Sequence, residues 1–245
     1  MTIETNKIYN GDCYELIKEI PDKSVDLIYT DIPYLMSYSG GGSLQQKVKN
    51  MRKVINEEKE TLLKGIDYSI LDEFVRVMIY IYIYIWCSKS QIYDLMNYFI
   101  GKYDCNFNIL VWCKDNPVPM GASNFLGDIE YCLCFSEKGA KFNNGWKHKS
   151  KWYISHINQQ DKKEFLHNTI KPLELVERHI LNSTQENDIV LDPFLGSGTT
   201  ALACKHLNRK YIGFELKKEW YEISNNRLKG LNTKGEINLL DIDYD

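Results

Sequence analysis

The chain lacks an imbalance of charge: 30 lysines and arginines against 33 aspartates and glutamates leave a formal charge of −3 over 245 residues. That excludes a protein that coats nucleic acid by bulk charge, while leaving room for a local basic face. Paired Cys-x-x-Cys spacing is missing as well. The closest pair among the seven cysteines is Cys132 and Cys134, so neither a zinc site nor a disulfide framework is indicated and a reduced interior is expected. Long apolar runs are absent: residues 79–86 form the most apolar stretch, far too short to span a bilayer, and residues 1–12 hold no apolar signal core. A cytoplasmic protein without membrane attachment is the expectation. There is no internal repeat and no heptad pattern. The length suits a single α/β domain, residues 1–245, with a substantial core and little left over for a second.

What is present is a repeated order of strand, turn and helix, with strands that are short apolar runs of the kind buried on both faces of a parallel sheet. Strands are expected over residues 7–9, 25–29, 79–86, 107–112, 129–135, 189–191 and 211–214. Helices are expected over 14–20, stopped by Pro21, and over 70–78, 89–100, 172–182, 199–207 and 217–228. Residues 79–86, Ile-Tyr-Ile-Tyr-Ile-Tyr-Ile-Trp, alternate branched and aromatic side chains and read as a strand in the middle of the sheet. The pattern predicts a doubly wound α/β fold with helices on both faces. In such folds ligands bind at the carboxyl ends of the strands, which makes Asp12 and Asp31 candidates by position alone. Residues 35–68 break the pattern with Gly40-Gly41-Gly42, then Lys47, Lys49, Arg52 and Lys53, then acidic residues, and read as a mobile insertion.

Two segments carry the chemistry. Asp192-Pro193-Phe194-Leu195-Gly196-Ser197-Gly198-Thr199-Thr200 follows a strand and opens a helix; its glycines let backbone approach a ligand closely, and the helix start favours a carboxylate. The next strand ends in Gly213-Phe214-Glu215, about where an acidic side chain would accept hydrogen bonds from a ribose diol. The dinucleotide spacing Gly-x-Gly-x-x-Gly is not there. Singly, Asp192 reads as a helix cap and Glu215 as a surface carboxylate; together they read as a cofactor site. The other segment, Asp31-Ile32-Pro33-Tyr34, would alone be a strand-ending turn. Beside a cofactor loop it gains another reading, because a carboxylate and a backbone carbonyl can each accept one hydrogen of an amino group and localise its lone pair. Pro33 holds Ile32 extended and so presets that carbonyl, while Tyr34 offers an aromatic face.

These residues resemble the S-adenosylmethionine-dependent DNA amino-methyltransferases that act on adenine-N6 or cytosine-N4. Asp31, Ile32, Pro33 and Tyr34 match that family's D-P-P-Y motif with isoleucine as a variant. By this resemblance Asp192, Phe194, Gly196, Ser197, Gly198 and Thr199 hold the methionine part of the cofactor, Glu215 its ribose and Asp12 its adenine amino group. His167-Asn168-Thr169-Ile170-Lys171-Pro172 is similar to the H-P-T-x-K-P segment, implying His167 and Thr169 in the cofactor pocket, with Asn168 where proline is usual. Trp112, Lys114, Asn116, Pro117 and Pro119, then Asp128, Glu130 and Tyr131, are similar to the W-x-K-x-N-P-x-P and D-x-E-Y segments near the base pocket. The catalytic segment precedes the cofactor loop, the β-group order, in which the recognition region lies between them. Here that is residues 136–166, where Trp146 to Tyr153 interleaves cations with aromatics; Lys147, Lys149 and Lys151, with Lys47 and Arg52, are the candidate DNA contacts. The resemblance implies a Rossmann-like, mostly parallel sheet with one antiparallel strand, S-adenosyl-L-methionine as cofactor, no metal and double-stranded DNA as partner. It allows a homodimer and a cognate restriction endonuclease. Aspartate at the head of the motif favours adenine over cytosine. Catalytically silent DNA-binding modules share the fold, but intact Asp31 and Tyr34 argue against one. Enzymes that methylate RNA or protein amides through N-P-P-Y normally carry the opposite motif order.

Overall fold

The computed structural model describes residues 3–35, 65–117, 125–140, 143, 149–157, 170–233 and 235. Lys47, Arg52, Lys147, His167 and Thr169, with nearly all of the expected insertion at 35–68, lie outside the described residues.

Among the described residues eight strands form one sheet: β1 Lys7–Asn10, β2 Leu27–Asp31, β3 Tyr82–Cys87, β4 Asn106–Lys114, β5 Ile129–Ser136, β6 Trp152–Ser155, β7 Ile189–Asp192 and β8 Lys210–Glu215. Their order across the sheet is β1-β8-β7-β2-β3-β5-β4-β6. Only β5 runs against its neighbours, pairing antiparallel with both β3 and β4, while every other pairing is parallel. The helices are α1 Cys13–Leu16, tightened into a 3-10 turn over Ile17–Glu19, α2 Ile70–Val77, α3 Ile92–Met96, widened into a π-helical stretch over Asn97–Lys102, α4 Leu173–Ser183, α5 Thr199–His206 and α6 Lys218–Leu228.

The alternation of β3 explains how the sheet is covered. Its six residues are all buried. Ile83, Ile85 and Cys87 join Phe74 and Val77 of α2 and Leu95 and Phe99 on one face. Tyr82, Tyr84 and Trp86 join Leu175, Val176 and Ile180 of α4 and Ala203 and Cys204 of α5 on the other. Each fully buried side chain of this size contributes about 1.5–3 kcal/mol by leaving water. Helices from the first half of the chain cover one face and helices from the second half the other, as double winding requires.

The elements differ most from the expected ones at three places. The run 79–86 enters the sheet only at Tyr82, because Ile79 donates its N–H to Val25 O at 2.8 Å as a connector and Tyr80 stays exposed. The helix expected over 14–20 is α-helical for a single turn before it tightens. Strand β6 has no counterpart among the expected strands: Trp152 and Tyr153, in the basic, aromatic stretch expected to meet DNA, pair with Val111 and Trp112 at the sheet edge. Tyr153 donates its hydroxyl to Glu174 Oε2 at 2.7 Å, while Trp152 remains exposed, as an edge strand permits.

Candidate active site

Strands β2 and β7 are neighbours, and the chain leaves them in opposite directions, toward β3 and toward β8. This is the switch point at which a doubly wound sheet opens a crevice at its carboxyl edge. Asp31 ends β2 and Asp192 ends β7. The two ends are tied by the Thr30 hydroxyl, which donates to Asp192 Oδ1 at 2.9 Å. Next along the same edge come Glu215, ending β8, and Asn10, ending β1, which are register partners. The topology thus brings Asp12, Asp31, the glycine loop and Glu215 to one side of the sheet.

The backbone after Asp31 is held at several points. Ile32 donates its N–H to Trp86 O at 3.2 Å, Pro33 O accepts from Gln91 Nε2 at 2.9 Å, and Leu35 O accepts from the hydroxyls of Ser88 and Ser90 at 3.0 and 2.7 Å. The turn after β3 therefore fixes the exit of the Asp-Ile-Pro-Tyr segment, and the wholly buried Gln91 is its pin. Sequence reasoning gives no role to this turn; a fully buried glutamine is visible only in three dimensions.

Asp31 has two unlike oxygens. Oδ2 accepts from the Lys171 ammonium, while Oδ1 is buried with no hydrogen-bond partner. Lys171 also donates to Glu130 Oε2 at 3.0 Å, and Glu130 Oε1 is 2.5 Å from Lys114 Nζ. The Lys171 ammonium lies 5.0 Å from the Trp86 ring centre and 5.8 Å from that of Tyr34, and Tyr34 directs its hydroxyl at Glu130 Oε2, 3.5 Å away. Burial raises the Asp31 carboxyl above the usual carboxylate range, with Lys171 opposing the shift, Glu130 adding to it and the nearby Tyr34 hydroxyl, which lies outside hydrogen-bond geometry to Oδ1, also opposing it. Burial also works against ionisation of Glu130, but its two ammonium neighbours overcome this and bring it down to about 2. Burial keeps the Tyr34 phenol protonated well beyond its ordinary range. Lys171, absent from the expected site residues, belongs to the segment whose His167 and Thr169 the sequence singles out instead.

The glycine loop is built differently from its expected roles. Asp192 is expected to hold a ligand, yet Oδ1 accepts from Thr30 and from Phe194 N–H at 3.1 Å, and Oδ2 accepts from Thr200 Oγ1 at 2.6 Å. It organises the loop from within, and burial raises its pKa to about 7. The Ser197 and Thr199 hydroxyls, expected to face a carboxylate, turn toward the buried Arg227 of α6, whose Nη1 donates to Thr199 Oγ1 at 2.8 Å. Gly196 and Gly198 hold φ of 56° and 85°, in the left-handed region. Glu215 accepts from the N–H groups of Gly196 and Lys217 at 2.8 and 2.9 Å, so it stands directly beneath the loop. Each carboxylate oxygen has two acceptor sites, which leaves capacity for ribose hydroxyls. Asp12 caps α1 through Tyr14 N–H at 2.9 Å and is exposed at the same edge. The donor set fits S-adenosylmethionine: a glycine turn between β7 and α5, with carboxylates on either side along the strand ends.

Lys149 and Lys151 are exposed just before β6. The seven cysteines are all unbridged. Among the described residues no group of histidine, cysteine and acidic side chains is arranged to hold a metal, and no helix is long and apolar enough to cross a membrane.

A model of a DNA methylase family matches residues 25–226. M.HinfI, a type II methyltransferase of Haemophilus influenzae, is 31% identical over 266 aligned positions, covering 97% of this chain and 72% of that one. M2.MboI, a type II methyltransferase of Moraxella bovis, is 31% identical, covering 90% and 86%. Among solved structures, the M1.HpyAVI complex with S-adenosylmethionine superposes with a TM-score of 0.65 at 27% identity, covering 91% of this chain and 99% of that one. The cytosine-N4-specific PvuII methyltransferase, at 17% identity and a TM-score of 0.68 over 91% and 86% of the two chains, shares the fold. With the Asp31 segment and the glycine loop meeting at the switch point of a Rossmann-like sheet, the chain belongs to the N6/N4 DNA methylase family and is an S-adenosylmethionine-dependent DNA methyltransferase.

Proposed function

We propose that this enzyme methylates adenine-N6 in double-stranded DNA, on a base turned out of the helix, with Asp31, Ile32, Pro33 and Tyr34 as its catalytic segment. The observation that carries the reading is Asp31 Oδ1, a buried carboxylate oxygen without a partner at the switch point. A buried acceptor left unmade costs about 1–3 kcal/mol, and the amino hydrogen of an extruded base would satisfy it. The lone pair of that amino group is delocalised into the base. Asp31 accepting one hydrogen and the Ile32 carbonyl the other draw the nitrogen toward a tetrahedral geometry and stabilise the positive charge that grows on it. Tyr34 stacks on the base, a contact worth about 1–3 kcal/mol. Bound S-adenosylmethionine supplies an electrophilic methyl group. Holding nitrogen and methyl in line supplies up to about 7–11 kcal/mol, so Asp31 acts by position more than as a strong base and takes up the amine proton afterwards.

For the cofactor we assign Phe194, Gly196, Ser197, Gly198 and Thr199 as the loop around the methionine part, with Asp192 organising that loop. Glu215 takes the ribose and Asp12 the adenine, with His167 and Thr169 completing the pocket. Lys47, Arg52, Lys147, Lys149 and Lys151 contact DNA phosphates, and residues 136–166 form a small recognition region within one domain, 1–245. The type II names of its relatives support a modification enzyme working in the cytoplasm beside a restriction endonuclease of the same specificity. Mass by light scattering separates a monomer from a homodimer.

The test incubates the purified enzyme with labelled S-adenosylmethionine and DNA, RNA or protein, then digests the product. Label in N6-methyladenine of duplex DNA is expected; label in N4-methylcytosine overturns the adenine assignment. Asp31→Ala is expected to abolish transfer while retaining cofactor affinity, and full activity in that variant refutes the catalytic assignment.

A further inference from the structure

Three charged side chains extend in a chain of ion pairs from the catalytic aspartate. Lys114 ends β4, Glu130 lies near the start of β5 and Lys171 lies just before α4, so three distant stretches converge on one point. With Asp31 they make a row of alternating sign, Asp31, Lys171, Glu130, Lys114, in which Lys171 is 5% exposed and Glu130 13%. Such a row costs desolvation energy that apolar packing would not, so its presence beside the reacting group calls for a reason. The geometry offers one. Lys171 occupies one oxygen of Asp31 and leaves the other, Oδ1, bare. A carboxylate paired on both oxygens would offer a substrate fewer and less freely directed acceptor sites; one paired on neither would turn freely and take up a proton in a buried site.

We propose that Lys171 is a positioning residue for methyl transfer: it keeps Asp31 ionised and turned so that Oδ1 meets the substrate amino group, and Glu130, anchored by Lys114, sets where Lys171 stands. This rests on the reading of Asp31 as the residue that accepts the amino hydrogen. Because β5 runs antiparallel, its start lies at the catalytic edge, where Glu130, its second residue, meets the ends of β2 and β4. Tyr34 is drawn into the same arrangement through Glu130 Oε2. The titratable groups facing Asp31 are Lys171, Glu130 and Tyr34, with Tyr29 on β2, Cys87 on β3, Cys132 on β5 and Asp192 on β7 behind them.

The charges predict opposite shifts. Removing the ammonium in Lys171→Met leaves burial and Glu130 both opposing ionisation of Asp31, so the acid limb of kcat/KM moves to higher pH. Removing the like charge in Glu130→Gln moves it to lower pH. At neutral pH, kcat of Lys171→Met is expected to fall about 10²-fold, the loss typical of a small misplacement of a reacting group, with cofactor affinity by calorimetry unchanged. Lys171→Arg restores the position of the acid limb and part of kcat. Wild-type kcat in Lys171→Met, or an acid limb that stays put or moves the same way in both charge variants, overturns the proposal. Should Lys171→Met fail to fold, the near-isosteric Glu130→Gln decides alone: a limb moving down supports the proposal and any other result overturns it. An active Asp31→Ala enzyme would instead refute the underlying reading of Asp31, so the two failures are distinguishable.

Discussion

His179 of α4 lies inside an aromatic slab, stacked on Tyr84 with ring centres 5.0 Å apart and planes 8° from parallel, and with Nδ1 3.4 Å from the Tyr29 hydroxyl. That hydroxyl in turn accepts from Trp86 Nε1 at 2.8 Å, which links the slab to the floor of the catalytic pocket. Burial pushes the imidazole down to about 3 from its ordinary 6.5, with Arg178 adding to the shift. Between those values the unfolded chain binds more protons than the folded one, so stability falls as pH is lowered through that window. At pH 5 the loss amounts to about 2 kcal/mol. Asp192 has the opposite sign: its folded pKa is raised to about 7, so its contribution is present below the ordinary carboxylate range and fades as pH rises through 7. Denaturant unfolding at pH 7.5 and pH 5 therefore compares wild type with His179→Phe, in which the acid-side loss assigned to the imidazole is expected to disappear.

The turn from β7 into α5 depends on a close approach between helices. At Gly198 the backbone has φ of 85°, and a Cβ there would come within 2.9 Å of Ser224 Cβ on α6. Gly198→Ala is expected to cost about 1–3 kcal/mol in backbone strain, with overlap added to it, and to weaken cofactor binding. Gly230→Ala is the control, since Gly230 has φ of 70° but nothing within 4 Å of the added methyl. Its unfolding midpoint should shift less and its cofactor affinity should hold; equal losses in the two variants would remove the close approach as a cause. These elements also mark what the sequence could reveal. The apolar runs of β2, β3 and β7 end abruptly in polar turns, which made their carboxyl ends, and so the place of Asp31 and the glycine loop, readable. Strand β6 was not readable because Trp152 to Ser155 is short, preceded by lysines, and keeps Trp152 and Ile154 exposed at an edge. Arg227 resembles any surface cation of a polar helix until the loop beneath which it is buried is in place. Lys171 stands in the segment similar to H-P-T-x-K-P, but its role at Asp31 was not readable there, since its partners lie 140 and 41 residues away in the chain.

Across the whole molecule the near balance of charge means that DNA affinity has to come from a restricted face. Replacing Lys147, Lys149 and Lys151 by glutamine is expected to weaken binding and reduce the slope of log affinity against log salt by about 0.9 for each phosphate that is no longer neutralised. Fluorescence anisotropy on duplex DNA across a salt series reads this directly; an unchanged slope would move the interface elsewhere.

The strand order has a consequence for synthesis. β1 and β2 emerge first, yet in the finished sheet β8 and β7, made last, are wedged between them. A nascent chain lacking its final quarter leaves β1 without a neighbour and one edge of β2 open, the kind of edge that invites pairing with other chains. It has the Asp-Ile-Pro-Tyr segment but no glycine loop to place a methyl beside it. At roughly 5–20 residues per second, about 10–30 s separate the emergence of residue 31 from that of the loop. Methylating power thus arrives only after the glycine loop has been made, and a product of translation that stops before residue 192 lacks it.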